Sequence, residues 1–262
     1  MTDASVALSS IDSIVWSHPH FDHTGDPSLF PNTTSLVVGP GFKSNPLTYP
    51  GYPLNPNSTV AQDAFEGREL VEIEFDTGFE IGEFKAIDFF GDGSFYLLYG
   101  PGHTHDHMCA LARTSENKFI FLGADAAHYN GLLRPSTLLP LPEFVVPSPF
   151  EALHSHSFCP GSIFESIHPA TAKGENYRTT PFYTLSPNIT QSPEDANVTI
   201  QKIQRLDASP DVLVIVAHDI TALEIFPYFP ETLNGWETKG YKELDTWRFL
   251  GDFEKAIELA GP

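Results

Sequence analysis

Short apolar runs alternate along the chain with stretches rich in Pro, Gly, Asn and Ser. Residues 11–17, 36–38, 71–75, 84–90, 95–99, 108–113, 118–122 and 211–217 are too short for helices and are rich in Val, Ile, Leu and Phe, which predicts strands. Gly91-Asp92-Gly93 joins two of these runs and predicts a hairpin, and 108–113 with 118–122 predict a second. Residues 43–60 read as an irregular surface loop. Ser192-Pro193-Glu194-Asp195 opens a helix, with Ser as cap, Pro in the first turn and two acids at the positive end of the helix dipole. Val198, Ile203 and Leu206 supply its expected apolar stripe, and residues 252–260 predict a C-terminal helix. Residues 131–190 carry many prolines and little periodicity, and a connection of that length predicts a lid or binding segment. Strands interspersed with a few helices, without repeats, predict one α+β domain over residues 1–262.

Charge narrows the possible partners. Lys+Arg number 14 against 34 Asp+Glu, a formal net charge of -20. Such a surface repels phosphate backbones and anionic lipid, which excludes nucleic-acid binding and basic membrane docking. No apolar run approaches the roughly 18 residues of a membrane span. Residues 1–10 lack the basic flank and apolar stretch of a secretory signal, so a cytoplasmic protein is expected. Cys109 and Cys159 are too few for a disulfide framework and are expected to be buried free thiols.

Candidate chemistry concentrates in His18-Pro19-His20-Phe21-Asp22-His23. His18 and His20 stand two residues apart at a strand end, so their rings can point the same way. Three imidazoles and a carboxylate within six residues suit a borderline cation such as zinc. Downstream, Gly102-His103, Gly123-Ala124-Asp125 and His218-Asp219 each follow a predicted strand. Alone, each reads as a turn; together with the first cluster they supply further ligands. His105 lies inside the His103 loop, and His154, His156 and His168 are expected in solvated loop positions.

The order His-X-His-X-Asp-His, Gly-His, Gly-X-Asp and His resembles the metallo-β-lactamase superfamily, over residues 11–219. The resemblance implies a four-layered αββα sandwich with two zinc ions at its edge. His18, His20 and His103 would bind one metal, Asp22, His23 and His218 the other, and Asp125 would bridge both. Within the superfamily the sequence is most similar to the acyl-homoserine lactonase branch. Pro101-Gly102-His103-Thr104-His105-Asp106-His107 resembles that branch's Pro-Gly-His-X-X-Gly-His, with Asp106 in place of the glycine and His107 behind the ligands. His218-Asp219 matches its His-Asp pair. The branch carries a substrate-contacting tyrosine three residues after the bridging aspartate; here that position is His128, which could donate the same hydrogen bond.

The implied activity is hydrolysis of a cyclic ester or amide in a small-molecule substrate, by a metal-bound hydroxide with Asp125 moving the proton. A thioesterase or glyoxalase II-like hydrolase is the enzymatic alternative, and a non-catalytic shortened family member the other. The resemblance also implies several strands before the first motif, whereas 17 residues precede His18. The first sheet is therefore expected to be short of its first strands, through a shortened sequence or with a homodimer partner covering the gap.

Overall fold

A computed structural model describes residues 6–150 and 157–260. The first sheet is parallel and contains β1 (Ser13–Val15), β2 (Ser35–Val38) and β3 (Leu70–Glu72) in that order, with the short helix α1 (Phe21–Thr24) between β1 and β2. An antiparallel meander follows: β4 (Glu80–Ile81), β5 (Phe84–Asp88), β6 (Phe95–Tyr99), β7 (Met108–Ser115) and β8 (Lys118–Leu122). Both predicted hairpins are present. The chain then crosses a Pro-rich stretch containing β9 (Phe144–Val145), β10 (Cys159–Pro160) and the turn α2 (Pro169–Ala172). Helix α3 (Pro193–Asp207) leads into β11 (Val212–Ile215), which pairs in parallel with β8 and completes a six-stranded sheet. Helices α4 (Tyr241–Thr246) and α5 (Glu254–Ala260) close the chain.

Alternation along the strands decides what packs where. Val15, Val37 and Val71 of the first sheet meet Ile87, Leu97, Met108 and Ala110 of the second, forming the core between the sheets. The opposite face of the first sheet, with Ile14, Leu36 and Val38, is covered by Phe42, Val60, Ala64 and Phe65 from irregular chain and short 3-10 turns. The opposite face of the second sheet, with Phe84, Ala86, Leu98, Cys109, Phe121 and Val214, is covered by Ile200 and Ile203 of α3. Four layers result, helical on one side and irregular on the other. Cys109 and Cys159 are buried free thiols. No helix among the described residues is long and apolar enough to cross a membrane.

Two expectations are corrected. The buried face of α3 is Ala196, Thr199, Ile200 and Ile203, whereas Val198 is 45% exposed and Leu206 is half-buried. Contact with a loop chooses that face: Thr199 Oγ1 donates to Pro101 O at 2.8 Å, and Ala196 lies against Gly102. His168 is buried at 2% exposure, not solvated. Its Nδ1 accepts the Ala170 amide at the start of α2, and its ring lies 4.1 Å from that of Phe182. It belongs to a separate apolar region in which Leu141, Val145, Phe164 and Phe182 pack on Trp247, Phe249 and Leu250. His154 and His156 lie outside the described residues.

One buried ionic cluster ties this region to α3 and α4. Arg134, 1% exposed, donates through Nε and Nη2 to Asp207 at 2.8 Å each, and through Nη1 to Asp245 at 3.0 Å. Burial pushes the Asp245 carboxyl up to about 6, against the pull of Arg134. Arg134→Leu strips both carboxylates of their partner, and we expect a loss of about 3–5 kcal/mol of stability by chemical denaturation. A change below about 1 kcal/mol would show that the carboxylates find other partners.

Candidate metal centre

The chemistry-bearing side chains gather where β1, β6, β8 and β11 end. Met108 N donates to Ser17 O at 2.8 Å, which joins the two sheets beside His18. His20 stands at the N-cap of α1, whose single turn carries Asp22 and His23, and Trp16 Nε1 holds the end of that turn by donating to Thr24 O at 2.8 Å. His103 follows Gly102, which has φ +137° and lies so close to α3 that a Cβ would be 2.3 Å from Ala196 Cα. On the other side of the loop, a Cβ on Gly39 would lie 1.8 Å from Asp106 O. Glycine is required at both contacts to let backbone pack on backbone.

Asp125 sits in a 3-10 turn, Ala124–Ala126, after β8, and its amide donates to His107 Nε2 at 3.1 Å. Nε2 is therefore the acceptor, and His107 Nδ1 donates to Gly100 O at 3.0 Å. The buried ring of His107 thus locks the Asp125 turn to the His103 loop. His218, three residues beyond β11, lies at φ +66° and Ala124 at φ +43°, two strained residues brought together where Ala217 N donates to Ala124 O at 2.9 Å. Asp219 caps the following turn, its Oδ1 accepting Thr221 N at 3.0 Å and Thr221 Oγ1 at 2.7 Å.

Two donor sets result. In the first, His20 Nδ1 is 3.0 Å from His18 Nε2 and 2.9 Å from His103 Nε2, and Asp125 Oδ2 is 3.7 and 3.3 Å from His18 and His103 Nε2. In the second, Asp22 Oδ2, His23 Nε2 and His218 Nε2 lie 3.3–3.5 Å apart. Asp125 Oδ1 is 3.0 Å from His23 Nε2 and 3.3 Å from His218 Nε2. A tetrahedron with ligand bonds of about 2.0–2.1 Å has edges of about 3.3 Å. His18, His103 and Asp125 are buried, whereas Asp22 and His218 are exposed.

The electrostatics suit a cation. Burial, helped by repulsion from His107, lowers the His18 imidazole to about 2. Burial lowers His103 to about 4 and His107 to about 3, so all three rings are neutral at pH 7. Burial raises the Asp125 carboxyl, but His128 at 3.3 Å and the neighbouring imidazoles of His23 and His18 outweigh it and hold the group below the usual carboxylate range. Asp125 Oδ1 is buried without a hydrogen-bond partner although two imidazole nitrogens face it. Imidazole nitrogens converging on an orphaned, buried carboxylate oxygen are what a divalent cation satisfies, so the residues present fit the metal that the motif implies.

His128, half-buried, is stacked on His218 with ring centroids 5.5 Å apart. A cavity of about 460 Å³ opens over the donors, lined by His20, His103, Asp125, His128 and His218 on one side and residues 188–191 on the other. That second wall lies at the end of the 131–190 stretch expected to be a lid or binding segment, where the sequence singles out no individual residue. Its residues have no metal-ligand spacing, and only their place before a capped helix marks them. His105 is exposed; its backbone, not its ring, makes the hydrogen bonds.

A metallo-beta-lactamase superfamily model matches residues 1–123. Gamma-lactamase MBL2 of Gibberella moniliformis is 53% identical over 167 residues, which cover 62% of this chain and 68% of that one. The chain belongs to the metallo-β-lactamase superfamily. Metallo-hydrolase mfmC of Annulohypoxylon moriforme is 45% identical over 254 residues, 96% of this superfamily member, which spans 64% of the length of that relative. Among solved structures, an N-acyl homoserine lactone hydrolase with N-hexanoyl-L-homoserine at its catalytic metal centre superposes with a TM-score of 0.53. It is 16% identical, over 88% of this chain and 64% of that one, and shares the fold.

The lowered imidazoles set the acid stability of the metal-free protein. An unfolded histidine titrates near 6.5, so below that pH the unfolded chain takes up protons that folded His18, His103 and His107 refuse. Stability is full above about pH 6.5 and is lost as pH falls toward 4. Asp245, raised to about 6, works the opposite way below pH 6 and offsets part of one histidine. We expect the unfolding free energy to drop by roughly 2 kcal/mol between pH 6.5 and 5.5. Denaturant titration at the two pH values checks this, and a flat profile would contradict it.

Proposed function

We propose that this chain is a metal-dependent hydrolase that opens a small cyclic amide or ester, of the lactamase or lactonase type, with two zinc ions. His18, His20 and His103 would hold one ion, Asp22, His23 and His218 the other, and Asp125 both. The observation that carries this reading is the placement of the Asp125 oxygens, Oδ2 with the first donor set and Oδ1 with the second. A relative named gamma-lactamase and the fold shared with a lactone hydrolase support the substrate class. The net charge of -20 and the small cavity suit a small molecule and disfavour nucleic acid. A cytoplasmic location remains part of the proposal.

Zinc, when bound, lowers the pKa of coordinated water toward neutrality and polarises a carbonyl. The chain's own residues do the rest. Asp125, held ionised, accepts the proton of the attacking water and passes it to the leaving nitrogen or oxygen. His128, which lines the cavity beside Asp125, would donate a ring N–H to the carbonyl oxygen as charge develops there. His107 and Asp219 hold the ligand-bearing loops in place.

Elemental analysis of protein purified without chelator is expected to find about two zinc equivalents, and Asp125→Ala to reduce them to one or fewer with at least a hundredfold loss of lactam or lactone hydrolysis (roughly). His128→Ala is expected to keep its zinc and lose about a hundredfold in kcat, with His128→Tyr recovering most of it. Soluble, folded protein with less than about a quarter equivalent of zinc would overturn the hydrolase reading.

A further inference from the structure

The cavity wall opposite the donors is pinned to the His103 loop. Gln191 N donates to His103 O at 3.1 Å and Ser192 N to Gly102 O at 2.9 Å. His105 N donates to the side-chain Oε1 of Gln191 at 3.0 Å. A backbone N–H can only donate, so the atom facing it is the carboxamide oxygen, and the orientation of the amide follows. The amide nitrogen keeps both hydrogens without a protein acceptor among the described residues. The other wall residues differ. Thr190 Oγ1 donates to Ser186 O at 3.1 Å, the Asn188 carboxamide has no hydrogen-bond partner among the described residues, and Ile189 is the wall's aliphatic contribution.

Resting on the hydrolase reading above, we propose that Gln191 is a specificity-determining residue. Its carboxamide N–H donates to an uncharged acceptor on the substrate, a carbonyl or ether oxygen outside the bond that is cut. Three hydrogen bonds hold this donor on the same loop as His103, so engaging it orders little additional chain. An acceptor placed on Gln191 orients the ring over the ligands. An aliphatic tail on this side would meet only Ile189 in the wall. The substrate class is thus a compact lactam or lactone carrying a neutral acceptor substituent.

Two pairs of probes test this, each pair sharing one ring: pyrrolidin-2-one with its 5-carboxamide, and γ-butyrolactone with N-butanoyl homoserine lactone. Gln191→Glu keeps the oxygen that His105 N holds and removes the donor; Gln191→Leu removes both. Zinc content and thermal unfolding establish that each variant is folded and loaded. In Gln191→Glu the preference for the substituted member, as a ratio of kcat/KM, is expected to fall about tenfold through KM, as loss of one well-formed hydrogen bond implies. If only Gln191→Leu lowers that ratio, the side chain merely anchors the loop and the proposal is overturned. If the wild-type protein turns over no probe, the hydrolase reading fails separately. Calorimetric titration of the substituted probes into zinc-loaded protein then decides: about tenfold weaker binding in Gln191→Glu supports the role, and equal binding or none in the wild type overturns it.

Discussion

The ring of His107 joins the two loops that carry His103 and Asp125: its Nδ1–H donates to Gly100 O and its Nε2 accepts the Asp125 amide. The bond accepted on Nε2 requires the neutral ring, and burial keeps it neutral. Protonation would turn Nε2 into a donor facing another donor. The position of Asp125, and with it the relation between the two donor sets, therefore depends on an imidazole that is not itself among the donors. The φ +66° of His218 and the Ala217 to Ala124 bond hang on the same turn.

Much of this was legible in the sequence because it is local. Four candidate donors fall within six residues, and the others stand just beyond apolar strands, where a chain leaving a sheet edge has to turn. The hairpins, the Ser192 cap and the strand β11 were legible for the same reason: each is signalled by residues next to one another. The seven candidate donors lie close together at the strand ends, with His128 beside Asp125 and His218.

What was missed depends on contacts far apart along the chain. The face of α3 that is buried follows from Pro101 and Gly102, and Pro101 lies 98 residues before Thr199 in the chain. His168 looks like a loop residue until Phe182 covers it. The wall at 188–191 carries ordinary polar residues whose meaning comes only from lying across a cavity from the donors. Helix α4 escaped notice because at six residues, starting after Gly240, it is too short to show a period.

The Arg134 cluster has a mechanical consequence. Separating Asp207 at the end of α3 from Asp245 in α4 would strand a buried guanidinium or carboxylate, at a cost of several kcal/mol. Thermal fluctuation samples such a state well under one time in about a hundred. The Pro-rich region, α3 and α4 therefore breathe as one block, like a door frame held square by a single bolt.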